Sequence, residues 1–219
     1  MLNPPLLFLR LLLISLLLML TACGGGGGGG ASSTGNTPTG SGSQNNGGSS
    51  NRVSEPTFAP GIGQALLGPI VDANAGLYEE GRFNSSPVCT TTTSSANSNL
   101  GPGVLDFRNC NVNPNLLYLI VIRNGFDIDV NDDGNIDTTP TSNQGVIRGL
   151  ISGEDILAGE FRINILTEVA YQNVSDLVTG GSSANEILSS LNLFAAQLVR
   201  EDLNGDNIID NSDLLSFSP

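Results

Sequence analysis

The stretch Leu116-Leu-Tyr-Leu-Ile-Val-Ile122 is continuous, apolar and partly β-branched, the composition of a strand buried on both faces. Such a strand needs neighbours, and short candidates lie on either side of it. Upstream, Gln64-Ala-Leu-Leu-Gly-Pro-Ile-Val71 is apolar but interrupted at Gly68-Pro69, which predicts two short strands or a bulged edge strand. Ala75-Gly-Leu-Tyr78 and Gly103-Val-Leu-Asp-Phe107 read as further short strands, with the polar segment Thr90–Asn99 between them as a long loop. Downstream, Gly145-Val-Ile-Arg-Gly-Leu-Ile151 and Phe161-Arg-Ile-Asn-Ile165 add two more.

After residue 165 the apolar period changes. Leu166, Val169, Ala170, Val174, Leu177 and Val178 fall on one helical face, and Gly180-Gly181 stops that helix. Ser183-Ala-Asn-Glu186 has the spacing of a capping box and opens a second amphipathic helix through Ile187, Leu188, Leu191, Phe194, Ala195, Leu198 and Val199. Both stripes read as core faces. The fold class expected is α+β: a small sandwich-like sheet lobe over residues 52–152, followed by a helical lobe over 153–219.

The other end of the chain is unlike either lobe. Leu11 to Leu20 is almost unbroken leucine, preceded by Arg10 and followed by Thr21-Ala22-Cys23. A cation, a short apolar run and small residues before a cut site make a secretory signal. Leu20-Thr-Ala-Cys23 resembles the lipobox of bacterial lipoproteins. That resemblance implies cleavage after residue 22 and acylation of Cys23 on sulfur and amino group, so that the membrane is the partner of this end. Residues 23–51 continue in Gly, Ser, Thr and Asn. Such a chain buries nothing and reads as a flexible tether with an r.m.s. reach of about 30 Å. Gly24 after the Cys, by resemblance to Gram-negative sorting rules, points to the outer membrane.

Composition then removes function classes. The chain has 8 Lys+Arg against 21 Asp+Glu and a net charge of −13, which argues against nucleic acid and against electrostatic attachment to anionic lipid. Histidine and lysine are absent, so Ser-His-Asp and Cys-His catalysis, Schiff bases and phosphate-loop lysines are excluded. No nucleophile–base pair is evident, and the chain is not expected to be an enzyme. With Cys23 lipidated, Cys89 and Cys110 are left as a pair. In an exported protein they are expected to form a disulfide, worth about 3 kcal/mol for a loop of this size in the chain-entropy model.

From Gln64 to Gly125 the order of turns and short strands, with the phrase GPIVDANAGLYE, resembles the transthyretin-like sandwich modules of bacterial surface lipoproteins. A sharper resemblance lies at the other end, in Asp202-Leu-Asn-Gly-Asp-Asn-Ile-Ile-Asp-Asn-Ser-Asp213. Ca²⁺ takes about six to eight oxygens, and a twelve-residue loop offers them from positions 1, 3, 5, 7, 9 and 12. Here these are Asp202, Asn204, Asp206, the Ile208 carbonyl, Asp210 and Asp213, with Ile209 at position 8. The motif resembles an EF-hand, and its short final Asp brings it closer to the calcium loop of type I dockerins. Asn207 replaces the usual glycine at position 6, where Asn tolerates a left-handed backbone.

Residues 127–137 repeat the logic. From Asp129 the ligands would be Asp129, Asn131, Asp133, the Asn135 carbonyl and Asp137, with Gly134 at position 6 and Ile136 at position 8. Position 12 is Pro140, so a last ligand has to come from Asp127 or another acid such as Glu168. Ca²⁺ is the expected cofactor. The sequence thus predicts a lipid-anchored, calcium-binding envelope protein with a structural or adhesive role. Its alternatives are a dockerin-like protein tethering a partner to the cell surface, or the N-terminal module of a longer surface protein.

Overall fold

The computed structural model describes residues 58–218; the signal segment, Cys23 and the tether lie outside them. Ten strands are assigned: β1 Ile62–Ala65, β2 Ile70–Val71, β3 Asn74–Glu79, β4 Cys89–Thr92, β5 Val104–Asp106, β6 Leu117–Arg123, β7 Phe126–Asp127, β8 Thr141–Ser142, β9 Val146–Ser152 and β10 Phe161–Ile163. The helices are α1 Gly153–Ala158, α2 Ile165–Gly180, α3 Ala184–Leu198 and α4 Asn211–Ser216. The fold is mixed α+β.

The apolar run at 116–122 becomes β6, the second inner strand of an antiparallel sheet ordered β4-β3-β6-β9. Its register runs Arg123↔Asn74 to Tyr118↔Glu79 against β3, and Arg123↔Val146 to Leu117↔Ser152 against β9. Alternation sends its side chains to two different cores. Leu117, Leu119 and Val121, with Leu150 of β9, meet Ala170, Tyr171 and Val174 of α2 and Ile187, Leu191 and Ala195 of α3. Tyr118, Ile120 and Ile122 face the other way, with Ala75 and Leu77 of β3, towards Leu105, Phe107, Phe161 and Ile163. That second face is covered by a three-stranded sheet, β10-β1-β5. There β10 runs parallel to β1, with Gly63 opposite Phe161, so residues from both sides of position 152 share one sheet. The Phe161 ring occupies the space above Gly63, where any Cβ would collide with it.

The interrupted run 64–71 resolves into β1 and β2, separated at Gly68-Pro69. Helix α2 starts on Asn164, whose Oδ1 accepts from the amides of Leu166 and Thr167, and stops at Gly181 with φ 75°. The capping box at Ser183 and Glu186 is present and opens α3. Two expectations need correction. Cys89–Thr92 is strand rather than loop: threonine is β-branched, Thr90 and Thr92 are exposed while Thr91 is half-buried, and the segment pairs with β3. Val169 is exposed, so the buried stripe of α2 is narrower than its apolar residues suggest. The chain after Asp210 forms a short helix, capped by the Asp210 carboxylate.

Cys89 and Cys110 are joined in a disulfide with Cα atoms 5.8 Å apart. It ties the outer strand β4 to the segment after β5.

Candidate metal centre

Two acidic loops sit at opposite ends of the sequence pattern. Loop A, residues 127–137, lies between β7 and β8, and loop B, residues 202–213, joins α3 to α4. In loop B the first residue, Asp202, accepts from Gly205 N (2.6 Å) on Oδ1 and from Asn207 N (2.7 Å) on Oδ2. Asn204 Oδ1 accepts from Asp206 N (3.0 Å), and Asp206 Oδ1 accepts from Ile208 N (2.8 Å). These are successive Asx turns, the local bonding that short polar side chains offer a tight loop. Asp210 caps α4 through Ser212 N. Asp213 closes the loop. It is fully buried, with Oδ1 accepting from Leu203 N (2.6 Å) and Asn204 N (3.3 Å) and Oδ2 from Asp210 N (2.8 Å).

Loop A repeats the first half of this pattern. Asp129 accepts from Asp133 N (3.1 Å) and, across the loop, from Gly134 N (2.9 Å). Asn131 Oδ1 accepts from Asp133 N (3.3 Å), and Asp133 Oδ1 from Asn135 N (2.9 Å). Counted from the first ligand, both loops turn through positive φ at positions 4 and 6: Asp132 (51°) and Gly134 (77°) in loop A, Gly205 (82°) and Asn207 (69°) in loop B. Asn207 thus adopts the left-handed backbone that its position requires.

The closures differ. In loop A, Asp137 Oδ2 accepts from Val130 N (2.9 Å), the bond that Asp213 provides in loop B. Asp127 stands behind, accepting from Asp129 N (3.0 Å) and Gly68 N (3.4 Å). Glu168, a candidate for the missing ligand, is instead paired with Arg148 at 2.6 Å.

Burial is the main reason that the Asp127 carboxyl titrates above the usual carboxylate range; the amide of Asp129 opposes it, and the charges of Asp132, Asp129 and Asp137 add to it. Asp132 is raised by burial and then by Asp129. Asp133 is lowered by the side chains of Asn135 and Asn131. Among the described residues no cation answers these charges: the ion pairs join Arg82 to Glu79, Arg108 to Asp106 and Arg148 to Glu168, away from both loops.

Among the described residues no three Asp, Glu, His or Cys side chains stand together so as to hold a metal ion. The oxygens of both loops are turned towards their own amides, and the motif draws part of its set from Asn204, Asn131 and the carbonyls of Ile208 and Asn135. The chemistry of the set still fits a hard cation, since it is all oxygen and a carboxylate bonded to one or two amides keeps lone pairs free. Ile136 and Ile209 are both half-buried beneath their loops. What the sequence did not signal is the depth of Asp213; the Leu214-Leu215 pair after it was the available clue.

No helix among the described residues is long and apolar enough to cross a membrane. No family model, curated protein or solved structure matches the chain.

Proposed function

We propose that this chain is a lipid-anchored cell-envelope protein of a bacterium, held at the outer membrane through Cys23, whose extracytoplasmic domain is stabilised by Ca²⁺ in loops A and B and is structural or adhesive rather than catalytic. The observation that carries the metal reading is the shared turn pattern of the two loops, together with acids that no arginine among the described residues neutralises. A divalent cation removes the repulsion among such carboxylates. At ten times its dissociation constant each filled site adds about 1.4 kcal/mol of stability. Extracellular modules bind Ca²⁺ at about 10⁻⁴–10⁻³ M. The test is a thermal melt of the full chain in millimolar calcium and in EDTA, beside Asp202→Ala. A calcium-dependent rise that shrinks in the variant supports the reading, and no rise in either sample removes it.

A docking role is the second reading. It is favoured by Ile208, 59% exposed in loop B, and Leu193, 71% exposed on α3, whose neighbour Asn192 accepts from Asn211 N beside that loop. Calcium-dependent retention of a purified surface partner, lost in Leu193→Asp, would separate docking from a purely structural role.

A further inference from the structure

The helices α2 and α3 cover only part of the central sheet. Strand register places three rows of side chains on their face: Thr92, Asn74 and Arg123; Thr90, Gly76 and Val121; then Tyr78 beside Leu119. The helices take Leu119 and Val121 into their core. The half formed by β3 and β4 stays open as a groove of about 390 Å³, at the lower end of the range of about 300–1,000 Å³ for small-ligand sites. Asn74, Thr90, Thr92 and Arg123 are exposed along it. Its floor is kept low by Gly76, where a Cβ would stand 2.9 Å from Cε2 of the half-buried Tyr78 ring.

The chemistry of this groove differs from the rest of the surface. The chain carries a net charge of −13, yet no carboxylate lines the groove. The cavities at Arg162, at the α2–α3 turn and beside Ser189 all have carboxylates: Asp155 and Glu160 in the first, Glu80 in the second and Glu186 in the third. Here the single charge is the Arg123 guanidinium, which joins none of the ion pairs among the described residues. Beside it stand two threonine hydroxyls, an amide and a phenol, in strands about 4.8 Å apart. Hydroxyls and amides in that array pair with a polyhydroxylated ring, an aromatic side chain offers it an apolar face, and a guanidinium takes a carboxylate through two parallel bonds. A protein partner would need a broad apolar patch at the centre of its contact, and the groove offers only Pro87, Val121 and the Tyr78 ring among its polar residues.

We propose that the β3–β4 groove binds an acidic saccharide, a sugar ring bearing a carboxylate, with Arg123 on the carboxylate and Asn74, Thr90 and Thr92 on the ring hydroxyls. The assignment is independent of calcium in loops A and B. The full chain in metal-free buffer is titrated with trigalacturonic acid, followed by saturation-transfer NMR on the sugar protons, beside maltotriose as the neutral trisaccharide. Saturable binding of the acid, weakened about tenfold in Arg123→Gln and weakened again in Thr90→Val/Thr92→Val, is the expected result. Arg123 is exposed at a strand end, and an unchanged melting midpoint of the variant verifies its fold. Absence of binding at about 10 mM ligand, enough to fill most of a site with a dissociation constant of about 1 mM, or equal binding by parent and Arg123→Gln, overturns the proposal. Equal binding of maltotriose overturns the assignment of an acidic ligand.

Discussion

Loops A and B begin alike and end differently, and the ending decides how each one is wired to the fold. Through position 7 the two share their left-handed positions and the amide bonds from position 6 to 1, 5 to 3 and 7 to 5. Loop A is then closed by Asp137, half-buried, from within the loop itself. Loop B is closed by Asp213, which belongs to α4 and lies at the join of both cores: Leu214 packs with the helices and Leu215 with the opposite sheet face. The side chain of Asn211 donates to the Leu150 carbonyl on β9, and that of Asn164 donates to the Leu214 carbonyl. The closing carboxylate is therefore half-buried in loop A and part of the core in loop B.

Removing the two closing carboxylates is the strongest way to break this comparison. Asp213→Ala strips the acceptor from three part-buried amides, those of Leu203, Asn204 and Asp210, and vacates a fully buried site; at about 1 kcal/mol for each unmade bond, a loss of about 3 kcal/mol is expected in urea melts. Asp137→Ala frees one amide of exposed Val130, and about 1 kcal/mol is expected. Equal losses would mean that the closures are equivalent and that burial of Asp213 has no energetic consequence.

Next in size is the disulfide. Cys89→Ser/Cys110→Ser releases a loop of 21-residue separation at a cost of about 3 kcal/mol in the chain-entropy model. Because the bond tethers β4, hydrogen exchange should quicken in Cys89–Thr92 and its partner strand β3 while loop B keeps its protection. Uniform quickening throughout would show that the tether acts on the whole domain.

How far the sequence reached is explained by the same contrast. The strand at 116–122 and the two helices were legible because buried apolar residues at period 2 or near 3.6 are a local record of what covers them. Asn204, Asp206, Asn131 and Asp133 were legible as a set because Asx turns are written into consecutive residues. The pairing of β4 was hidden, since Thr90–Thr92 carries no apolar signal and its partner lies elsewhere in the chain. So was α1, a short helix set by Ser152, whose hydroxyl accepts from Asp155 N. The role of Asp213 was half hidden: its position in the loop was evident, but its burial depends on α4, Leu150 and Asn164, which no short window contains.

Acid provides a smaller test that acts on loop A alone. The folded-state pKa of Asp127 is raised, chiefly by burial. A raised carboxyl favours the folded state when protonated, so its contribution is full below the unfolded value near 3.8 and fades as pH rises through the folded value. In metal-free buffer Asp127→Asn should therefore be relatively more stable than the parent near neutrality than at low pH. Asn keeps one carbonyl oxygen for the amide of Asp129. If urea melts from pH 3 to pH 7 give parallel curves for parent and variant, burial at Asp127 is not felt.

The smallest effects lie at position 6, where the loops use different residues for one backbone shape. Gly134 has open space where a Cβ would stand, so substitution there is governed by φ rather than by crowding. Gly134→Ala should cost about 1 kcal/mol, because alanine meets the left-handed penalty without steric compensation. Asn207→Ala should cost about as much, since it removes the residue type best suited to φ 69° after glycine. Asn207→Gly should shift stability by only a few tenths of a kcal/mol: the relief of strain is offset by the greater freedom of the unfolded chain. A large gain from Asn207→Gly would mean that Asn207 is strained in loop B, and the two loops would then differ in their first half as well as in their closure.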